Sequence, residues 1–125
     1  MVIGLGVDLI ERDRVSAALR RWGEKLVARL MDPPEAARLP GAAAARGLAL
    51  ALAIAGKESV SKALGTGWTR GVRWRDVVVE PGPPARATLL GPALARARAL
   101  GSQGSGMLHL ECRGNLVLGE FRLLS

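Results

Sequence analysis

The apolar residues of this chain fall into short runs whose periodicity changes along the sequence. Residues 2–8, VIGLGVD, combine β-branched residues with two glycines, which predicts a short strand that ends at Asp8 and approaches its neighbour closely. From Asp13, a favourable N-cap residue, apolar side chains recur at intervals of three or four, which predicts a helix. The apolar face of that helix consists of Val15, Ala18, Leu19 and Trp22.

Prolines interrupt the segment that follows. Residues 25–31, KLVARLM, have helical periodicity, and the two prolines at 33–34 end it. Residues 34–46 show no clear period. They are compatible with a short helix over 34–39 followed by a loop at 40–41.

The middle of the chain carries the longest predicted helix. GLALALAI at 47–54 alternates large and small residues as a strand does, yet leucine and alanine favour helices and Ile54 is its one β-branched residue. Because the pattern continues through Leu64, we predict a single helix over 46–64 that Gly65 ends. Its first half is expected to be buried, whereas its second half begins the unusually polar stretch AGKESVSKALGTG.

The last third of the chain has strand periodicity on both sides of a helix. GVRWRDVVVE at 71–80 and ARATLLG at 85–91 predict two strands joined by a turn rich in proline and glycine. Pro92 and Gly101 frame a predicted helix. MLHLECR and LVLGEFRLL predict two final strands, with Gly114–Asn115 as the tight turn between them.

Length and charge narrow the class of protein. The 125 residues, about half of them hydrophobic, suit one domain over 1–125 with a core of its own. The formal net charge is +7, and all but three of the 18 basic residues are arginines. This surplus favours anionic partners, although the abundance of Ala, Arg, Gly and Pro also indicates a general bias in composition. The scarcity of aromatic residues disfavours nucleic-acid modules that stack bases on aromatic platforms.

The single cysteine and the N-terminus bear on the compartment. One cysteine, Cys112, forms no internal disulfide, which fits a reducing compartment, and we expect it to be a small core residue. The N-terminus lacks the basic start of a signal peptide and reaches an acidic residue at Asp8. No apolar run approaches the roughly 20 residues of a membrane span. These features predict a soluble cytoplasmic protein with no membrane partner.

Two acidic residues far apart in the chain form a candidate cation site. Glu58 and Lys62 lie four positions apart on one face of the predicted helix, where they also suit an ordinary solvated ion pair. Asp8 ends the predicted first strand, where it also suits a cap of the next turn. Together, a carboxylate at the end of a buried strand and a second one on a packed helix offer the oxygen ligands that Mg²⁺ prefers. The Gly-Thr-Gly after the helix resembles a phosphate-binding loop only weakly.

Three segments in this order resemble one family. GLGVDLIERDRV near the N-terminus, AGKESVSKALGTG at mid-chain and RGVRWRDVVV directly after it are similar to the holo-acyl-carrier-protein synthases, the small 4'-phosphopantetheinyl transferases. The family patterns are GxGxDhhExxR, where h is apolar, and (R)FAAKEAxxKAxGTG. The resemblance covers the chain from end to end, and the two patterns together are far more specific than either alone.

The resemblance implies a metal-dependent group transfer. Coenzyme A would bind through its pyrophosphate with the cofactor Mg²⁺, a serine of apo acyl carrier protein would attack the β-phosphate that bears pantetheine, and 3',5'-ADP would leave. Asp8 and Glu58 match the metal-binding carboxylates, and Lys62 matches a lysine near the phosphates, so all three are predicted catalytic residues. Either a metal-bound water or a carboxylate removes the serine proton. The positions that match binding of coenzyme A are Lys57, Ser61, Gly65, Thr66, Gly67 and His109.

The resemblance also implies the architecture and the partners. The family fold is α+β, a small antiparallel sheet packed on one long helix, with shorter helices around it. Similar members assemble as trimers with active sites between subunits, so we expect a homotrimer. The first helix would offer Arg14 and Arg21 to an acidic helix of the carrier protein, with an ordinary solvated helix face as the alternative. The expected partners are therefore acyl carrier protein and coenzyme A, and not nucleic acid.

Several family positions are altered in this chain. The Arg-Phe that precedes the Ala-Ala-Lys-Glu run is Ala53–Ile54 here, so a guanidinium expected near the substrate is absent. The Gly-Lys-Pro turn between the middle strands is replaced by PGPPA. The C-terminal strand motif, roughly His-Val-Ser-Ile-Ser-His, is HLECRG, in which only His109 matches. We expect His109 to contact a phosphate, with a packed or solvated histidine as the alternative.

These departures leave three hypotheses. The first is an active transferase, the second is a degenerate relative that binds coenzyme A or a carrier protein without efficient transfer, and the third is a basic nucleic-acid-binding domain with an accidental motif match. The retention of Asp8, Glu58 and Lys62 favours the first over the second. A Mg²⁺ requirement with selectivity for a folded acidic carrier distinguishes the first from the third, which predicts salt-sensitive binding of any polyanion.

Overall fold

The computed structural model describes residues 1–125, with five β-strands, five α-helices and one 3₁₀ turn. The strands are β1 (Val2–Glu11), β2 (Val77–Glu80), β3 (Arg86–Leu89), β4 (Gly106–Arg113) and β5 (Leu116–Leu124). The helices are α1 (Arg12–Trp22), α2 (Glu24–Leu30), α3 (Pro33–Ala36), α4 (Ala43–Leu64) and α5 (Gly91–Ala99), and the 3₁₀ turn covers Trp74–Asp76.

The strands form two antiparallel sheets. β5 lies in the centre of the larger sheet, between β1 and β4, whereas β2 and β3 form a separate two-stranded hairpin. The long helix α4 packs against β1 and β5 and also contacts β2. This is the α+β arrangement expected from the sequence, except that the strands are divided between two sheets.

Glycines in the larger sheet let α4 approach its strands at backbone distance. A Cβ atom at Gly6 would overlap the carbonyl oxygen of Ser59 on the helix, and a Cβ atom at Gly119 would overlap that of Ala55. Any larger residue would therefore push the helix away from the sheet. The close approach predicted for the glycines of the first strand is confirmed. It sets the distance between the backbones of α4 and β1, and so how close the polar residues of α4 come to Asp8.

Two groups of buried apolar residues surround α4. The first joins the second half of the helix to both sheets and to α5, and the second joins its first half to α1, α2 and β5. The largest members of the first group are Val60, Leu64, Val77, Phe121 and Leu123. The second group includes Val15, Val27, Leu30, Leu50 and Val117. The polar stretch of α4 thus lies on a helix that is anchored along its whole length.

The first strand is longer than predicted, and the first helix begins without the predicted cap. β1 continues past Asp8 because its pairing with β5 runs on to Glu11. Asp13 lies inside α1, where its backbone N–H donates to the side-chain oxygen of Asn115 at 3.0 Å. The turn between β4 and β5 therefore supplies the cap that the sequence had assigned to Asp13.

Three other local predictions were wrong. Residues 71–76 are not part of a strand, because the Asp76 carboxylate accepts the backbone N–H of Arg73 at 2.8 Å and closes the 3₁₀ turn. Helix α4 begins at Ala43 rather than at residue 46. Trp22 is 54% exposed although it continues the apolar spacing of α1, since the helix ends there and the chain turns away at the next residue.

The predicted helix end and the tight turn are confirmed. Gly65 follows α4 with a φ of 73° and donates its N–H to the carbonyl oxygen of Lys62. Gly114, with a φ of 56°, lies in the turn that joins β4 to β5. None of the helices combines the length and the apolar character needed to cross a lipid bilayer.

Candidate active site

Strand β1 and helix α4 bring Asp8 and Lys62 into contact. Side chains alternate along a strand, so Asp8 shares with Gly6 the face of β1 that packs on α4. The Asp8 carboxylate accepts a hydrogen bond from Lys62 Nζ at 2.6 Å, and the same ammonium donates to the carbonyl oxygen of Val7 at 3.2 Å. The side chain of Asp8 is 16% exposed and that of Lys62 is 49% exposed, so the pair lies at the edge of the protein with the ammonium open to solvent.

Glu58 lies one helical turn before Lys62 on α4, with its carboxylate partly buried. Its Oε1 accepts a hydrogen bond from Trp68 Nε1 at 3.4 Å. The pKa of Glu58 is raised, mainly because burial disfavours the charged carboxylate, and the charge of Asp8 adds to this effect. The hydrogen bond from Trp68 and the charge of Lys62 act in the opposite direction and lower the pKa. Glu58 and Lys62 lie four residues apart on one face of α4, and Lys62 contacts Asp8, so the three predicted catalytic residues lie in one region of the protein.

The donor set of this site suits a magnesium ion that is shared with phosphates. No group of three or more His, Cys, Asp or Glu side chains is arranged to hold a metal ion by itself. Mg²⁺ commonly takes one or two protein carboxylates and fills its other positions with water and substrate phosphate oxygens. Asp8 and Glu58 match that requirement, and the ammonium of Lys62 would lie beside the phosphates.

The Gly-Thr-Gly segment turns sharply after α4. Gly65 and Gly67 both have positive φ angles, and the Gly67 N–H donates to the carbonyl oxygen of Ser61 at 3.2 Å. The two hydroxyl groups of this region point inward: Thr66 is buried and donates to the Gly67 carbonyl, and Ser61 is buried and donates to a carbonyl one turn earlier in α4. Ser61 and Thr66, both predicted to bind coenzyme A, thus have their side chains buried in this structure, whereas Gly65 is exposed.

Lys57 is not available to coenzyme A in this structure. Its side chain is completely buried, and Nζ donates to Glu35 Oε1 at 2.8 Å. The same ammonium donates to the carbonyl oxygens of Trp74 and Val77. Burial lowers the pKa of Lys57, while the charge and hydrogen bond of Glu35 raise it. The predicted contact with coenzyme A is therefore corrected: Lys57 joins α4 to α3 and β2 inside the protein.

His109 lies on the opposite face of the larger sheet from Asp8. In β4, Leu108 packs toward α4, so the alternation of side chains along the strand places His109 on the outer face. His109 is exposed there and is paired across the strands with Glu120. The sequence predicted that His109 contacts a phosphate at the site of Asp8, but within one chain the two residues lie on opposite faces of the sheet. A site that contains both residues requires a second copy of the chain.

Arg14 and Arg21 lie two turns apart on the solvent face of α1. Arg14 is mostly exposed, with its guanidinium 3.5 Å from Glu11. The guanidinium of Arg21 lies 5.0 Å from the centre of the Trp22 ring. Exposed ion pairs contribute only about 0–1 kcal/mol, so the contact with Glu11 leaves Arg14 free to bind an acidic partner.

The altered position Ala53 faces a cavity between α3, α4 and β2. The cavity has a volume of about 310 Å³, and the small side chains of Ala49 and Ala53 form part of its wall. Arg38 and Glu80, whose charged groups are 3.4 Å apart, also line it. Where the family pattern has an arginine, Ala53 therefore borders open space, and Arg38, which follows α3, lies at the edge of that space.

Two residues that support the site, Trp68 and Glu35, were not predicted from the sequence. Trp68 holds the Glu58 carboxylate, and Glu35 neutralises Lys57. No spacing rule links either pair, although the position of Trp68 directly after the Gly-Thr-Gly segment was a usable signal. Cys112 is exposed, which contradicts the expectation of a core position.

Comparisons with known proteins point to one family. Residues 4–111 match the model of the 4'-phosphopantetheinyl transferase superfamily. The holo-[acyl-carrier-protein] synthase of Solidesulfovibrio magneticus is 46% identical over 105 residues, which is 82% of each chain. The protein of that name from Methylobacterium sp. is 42% identical over 123 residues, which is 96% of this chain and 90% of the relative.

Solved structures share the fold. The holo-[acyl-carrier-protein] synthase of Neisseria meningitidis superposes over 100% of both chains with a TM-score of 0.82 at 23% identity. The synthase of Helicobacter pylori in complex with coenzyme A has a TM-score of 0.78 at 19% identity, over 96% of this chain and 99% of that one. At these identities the structures bear on the fold alone, whereas the family model and the sequence relatives cover most of the chain. The chain therefore belongs to the holo-[acyl-carrier-protein] synthases, enzymes of the 4'-phosphopantetheinyl transferase superfamily.

Proposed function

We propose that this chain, acting as one domain over 1–125, transfers 4'-phosphopantetheine from coenzyme A to a serine of apo acyl carrier protein. Mg²⁺ is the cofactor and 3',5'-ADP is the second product. The observation that carries the proposal is the contact of Asp8 with Lys62 at 2.6 Å, on the face of α4 where Glu58 lies one turn earlier. The relatives named holo-[acyl-carrier-protein] synthase support the choice of acceptor, and the Helicobacter pylori synthase in complex with coenzyme A supports the choice of donor.

In the proposed reaction, the serine oxygen bonds to the β-phosphorus and the bond from that phosphorus to the bridging pyrophosphate oxygen breaks. Asp8 and Glu58 would hold Mg²⁺, which when bound offsets negative charge on the pyrophosphate. Lys62, half-exposed beside Asp8, provides a positive charge for the departing 3',5'-ADP. A carboxylate of the site or a water beside it would accept the serine proton.

The arginine-rich surface suits an acidic acceptor. Arg14 and Arg21 project from α1, which follows β1 directly and so begins close to the strand that carries Asp8. The net charge of +7 would attract an acidic carrier protein over a distance of several ångströms and raise the rate of encounter. We therefore assign the docking of the acyl carrier protein to the exposed face of α1.

We propose that three copies of the chain assemble through the outer face of the larger sheet. Leu5, Val7 and Leu9 follow one another along this face of β1, and Met107 lies on β4, each about half exposed or more. A continuous exposed row of apolar side chains of this kind marks an interaction surface. His109 lies on the same face, so a neighbouring copy is the route by which a histidine reaches the phosphate site.

Incubation with coenzyme A, Mg²⁺ and apo acyl carrier protein is expected to add one phosphopantetheine group to the carrier. Intact-mass spectrometry measures the gain, and chelation of Mg²⁺ should abolish it, because without a cation the two carboxylates would repel the negatively charged pyrophosphate. Absence of any gain across fatty-acid and polyketide carriers, with coenzyme A still bound, would leave the degenerate-relative hypothesis. Binding to any polyanion that weakens steeply with salt would favour the nucleic-acid hypothesis.

The oligomer is expected to have three times the 13.1 kDa mass of one chain in size-exclusion chromatography with light scattering. Val7→Arg places a charge in the middle of the apolar row and should give a monomer without transferase activity. Leu100→Arg is the matched control, since Leu100 is exposed at the end of α5, away from the sheet face, and should leave the trimer intact. A monomeric wild-type protein at assay concentration would contradict the proposed assembly.

A further inference from the structure

Each predicted metal-binding carboxylate is already held by one donor of this chain. Asp8 accepts a hydrogen bond from the ammonium of Lys62 at 2.6 Å, and Glu58 accepts one from the indole N–H of Trp68 at 3.4 Å. The two donors differ in charge, so Lys62 neutralises Asp8, whereas the indole orients Glu58 and leaves its negative charge in place. Only Oε1 of Glu58 takes part in a hydrogen bond, so Oε2 keeps its lone pairs for a cation.

The indole of Trp68 is held in turn by a stacked neighbour. The rings of Trp68 and Trp74 have their centres 4.0 Å apart and their planes at 22°. The backbone of Trp74 is fixed, because its carbonyl oxygen accepts a hydrogen bond from the buried ammonium of Lys57 at 3.1 Å and Asp76 closes its 3₁₀ turn. Trp68 therefore rests on a part of the protein that is itself anchored in the core.

These contacts form a closed loop of four residues that includes Glu58. Lys57 precedes Glu58 in α4, so the contacts run from Glu58 to Trp68, to Trp74, to Lys57, and back along the helix. The segment 65–73 that carries Trp68 contains three glycines with positive φ and belongs to no helix or strand. The stack, rather than regular secondary structure, therefore fixes the indole against the carboxylate.

We propose that Trp68 is a positioning residue whose indole N–H holds the Glu58 carboxylate with Oε2 free to bind Mg²⁺. The inference rests on the proposed function, because it takes Glu58 to be a metal-binding residue. A glutamate side chain has several rotatable bonds, and their ordering opposes metal binding unless a neighbour has already restricted them. Loss of the N–H should therefore weaken metal binding more than it slows the reaction at saturating metal.

The test compares Trp68→Phe with Trp74→Phe. Phenylalanine at position 68 keeps an aromatic ring against Trp74 but removes the N–H, whereas phenylalanine at position 74 keeps both a ring in the stack and the backbone carbonyl. The affinity for Mn²⁺ is measured by electron paramagnetic resonance of the free ion, with coenzyme A present and acyl carrier protein absent, so that no turnover occurs. We expect Trp68→Phe to weaken Mn²⁺ binding about tenfold and Trp74→Phe to weaken it less than about twofold.

In kinetic measurements, the substitution should change the Mg²⁺ concentration that the enzyme needs but hardly change its maximal rate. In Trp68→Phe, the half-saturating Mg²⁺ concentration should rise by about the same tenfold, while kcat at saturating Mg²⁺ stays within about threefold of wild type. Should the phenylalanine variant fail to fold, Trp68→His replaces it, since this smaller ring keeps an N–H donor. Binding of Mn²⁺ by the histidine variant should remain within about threefold of wild type, and a tenfold loss there would overturn the proposal.

Equal losses in the two phenylalanine variants would assign the effect to the ring stack, and an unchanged affinity in Trp68→Phe would show that the N–H has no role. Either result overturns the positioning role while the wild-type protein still binds the metal. A wild-type protein that binds no Mn²⁺ in the presence of coenzyme A would instead contradict the proposed function, and the role of Trp68 would fall with it.

Discussion

Glu58→Gln is expected to lower the kcat of phosphopantetheine transfer about a thousandfold, which corresponds to about 4 kcal/mol of transition-state stabilisation. Glutamine keeps the length of the side chain and an oxygen for the Trp68 N–H, but it removes the charge that a hard divalent cation requires. No cluster of further acidic side chains stands ready to replace Glu58. Intact-mass spectrometry of the carrier protein over time measures the rate.

A matched control separates the loss of chemistry from a loss of folding. Glu24→Gln changes an exposed glutamate on α2 that pairs with Arg46, and it should keep the wild-type rate within about twofold, since surface ion pairs contribute little. Because burial disfavours the charged form of Glu58, its neutral replacement should not lower the melting temperature. Transfer by Glu58→Gln at the parent rate would show that the metal site is wrongly assigned.

Lys57→Met is expected to destabilise the protein by about 3–5 kcal/mol, because it leaves Glu35 charged and unpaired in the interior. The substitution also removes the donor to the carbonyl oxygens of Trp74 and Val77. The melting temperature should fall by about 10–20 °C. Urea unfolding of wild type and variant at the same protein concentration measures the difference, since assembly makes apparent stability depend on concentration.

The double variant Lys57→Met with Glu35→Gln tests the cause of that loss. Glutamine is neutral and retains an oxygen for the backbone N–H of Val79, which the Glu35 carboxylate accepts at 3.0 Å. We expect the double variant to recover about half of the lost stability, because no buried charge remains. A Lys57→Met protein with unchanged stability and weaker binding of coenzyme A would restore the original prediction that Lys57 contacts the co-substrate.

Features that depend on local backbone chemistry were predictable from the sequence. Gly65 ends α4 because a left-handed residue closes a helix at little cost when it has no side chain, and this needs no information from the rest of the chain. The same holds for the turn at Gly114 between the last two strands. Glu58 and Lys62 share a helix face because they are four residues apart. No spacing rule pairs these two residues with Asp8; that pairing was predicted from the chemistry of two carboxylates as cation ligands and from the family motif.

Features that depend on which face meets which neighbour were not predictable. Lys57 and Glu58 are adjacent, yet successive residues point about 100° apart around a helix, so one enters the core while the other faces the site. The acidic residue that pairs with Lys57 lies on α3, a segment without clear periodicity, and only the packing of α3 against α4 reveals it. Trp68 reaches Glu58 through a loop whose path no periodic pattern describes.

The sequence by itself determined the family, the long helix and the acidic and basic groups proposed for the site, because these follow from residue identity and from spacing within each motif. Only the tertiary structure decided that Asp8 faces α4 while His109 faces away from it. Side chains on a strand alternate between its two faces, so a shift of one residue in register moves a side chain from one face to the other. That register is set by pairing with β5, which lies far from β1 in the chain.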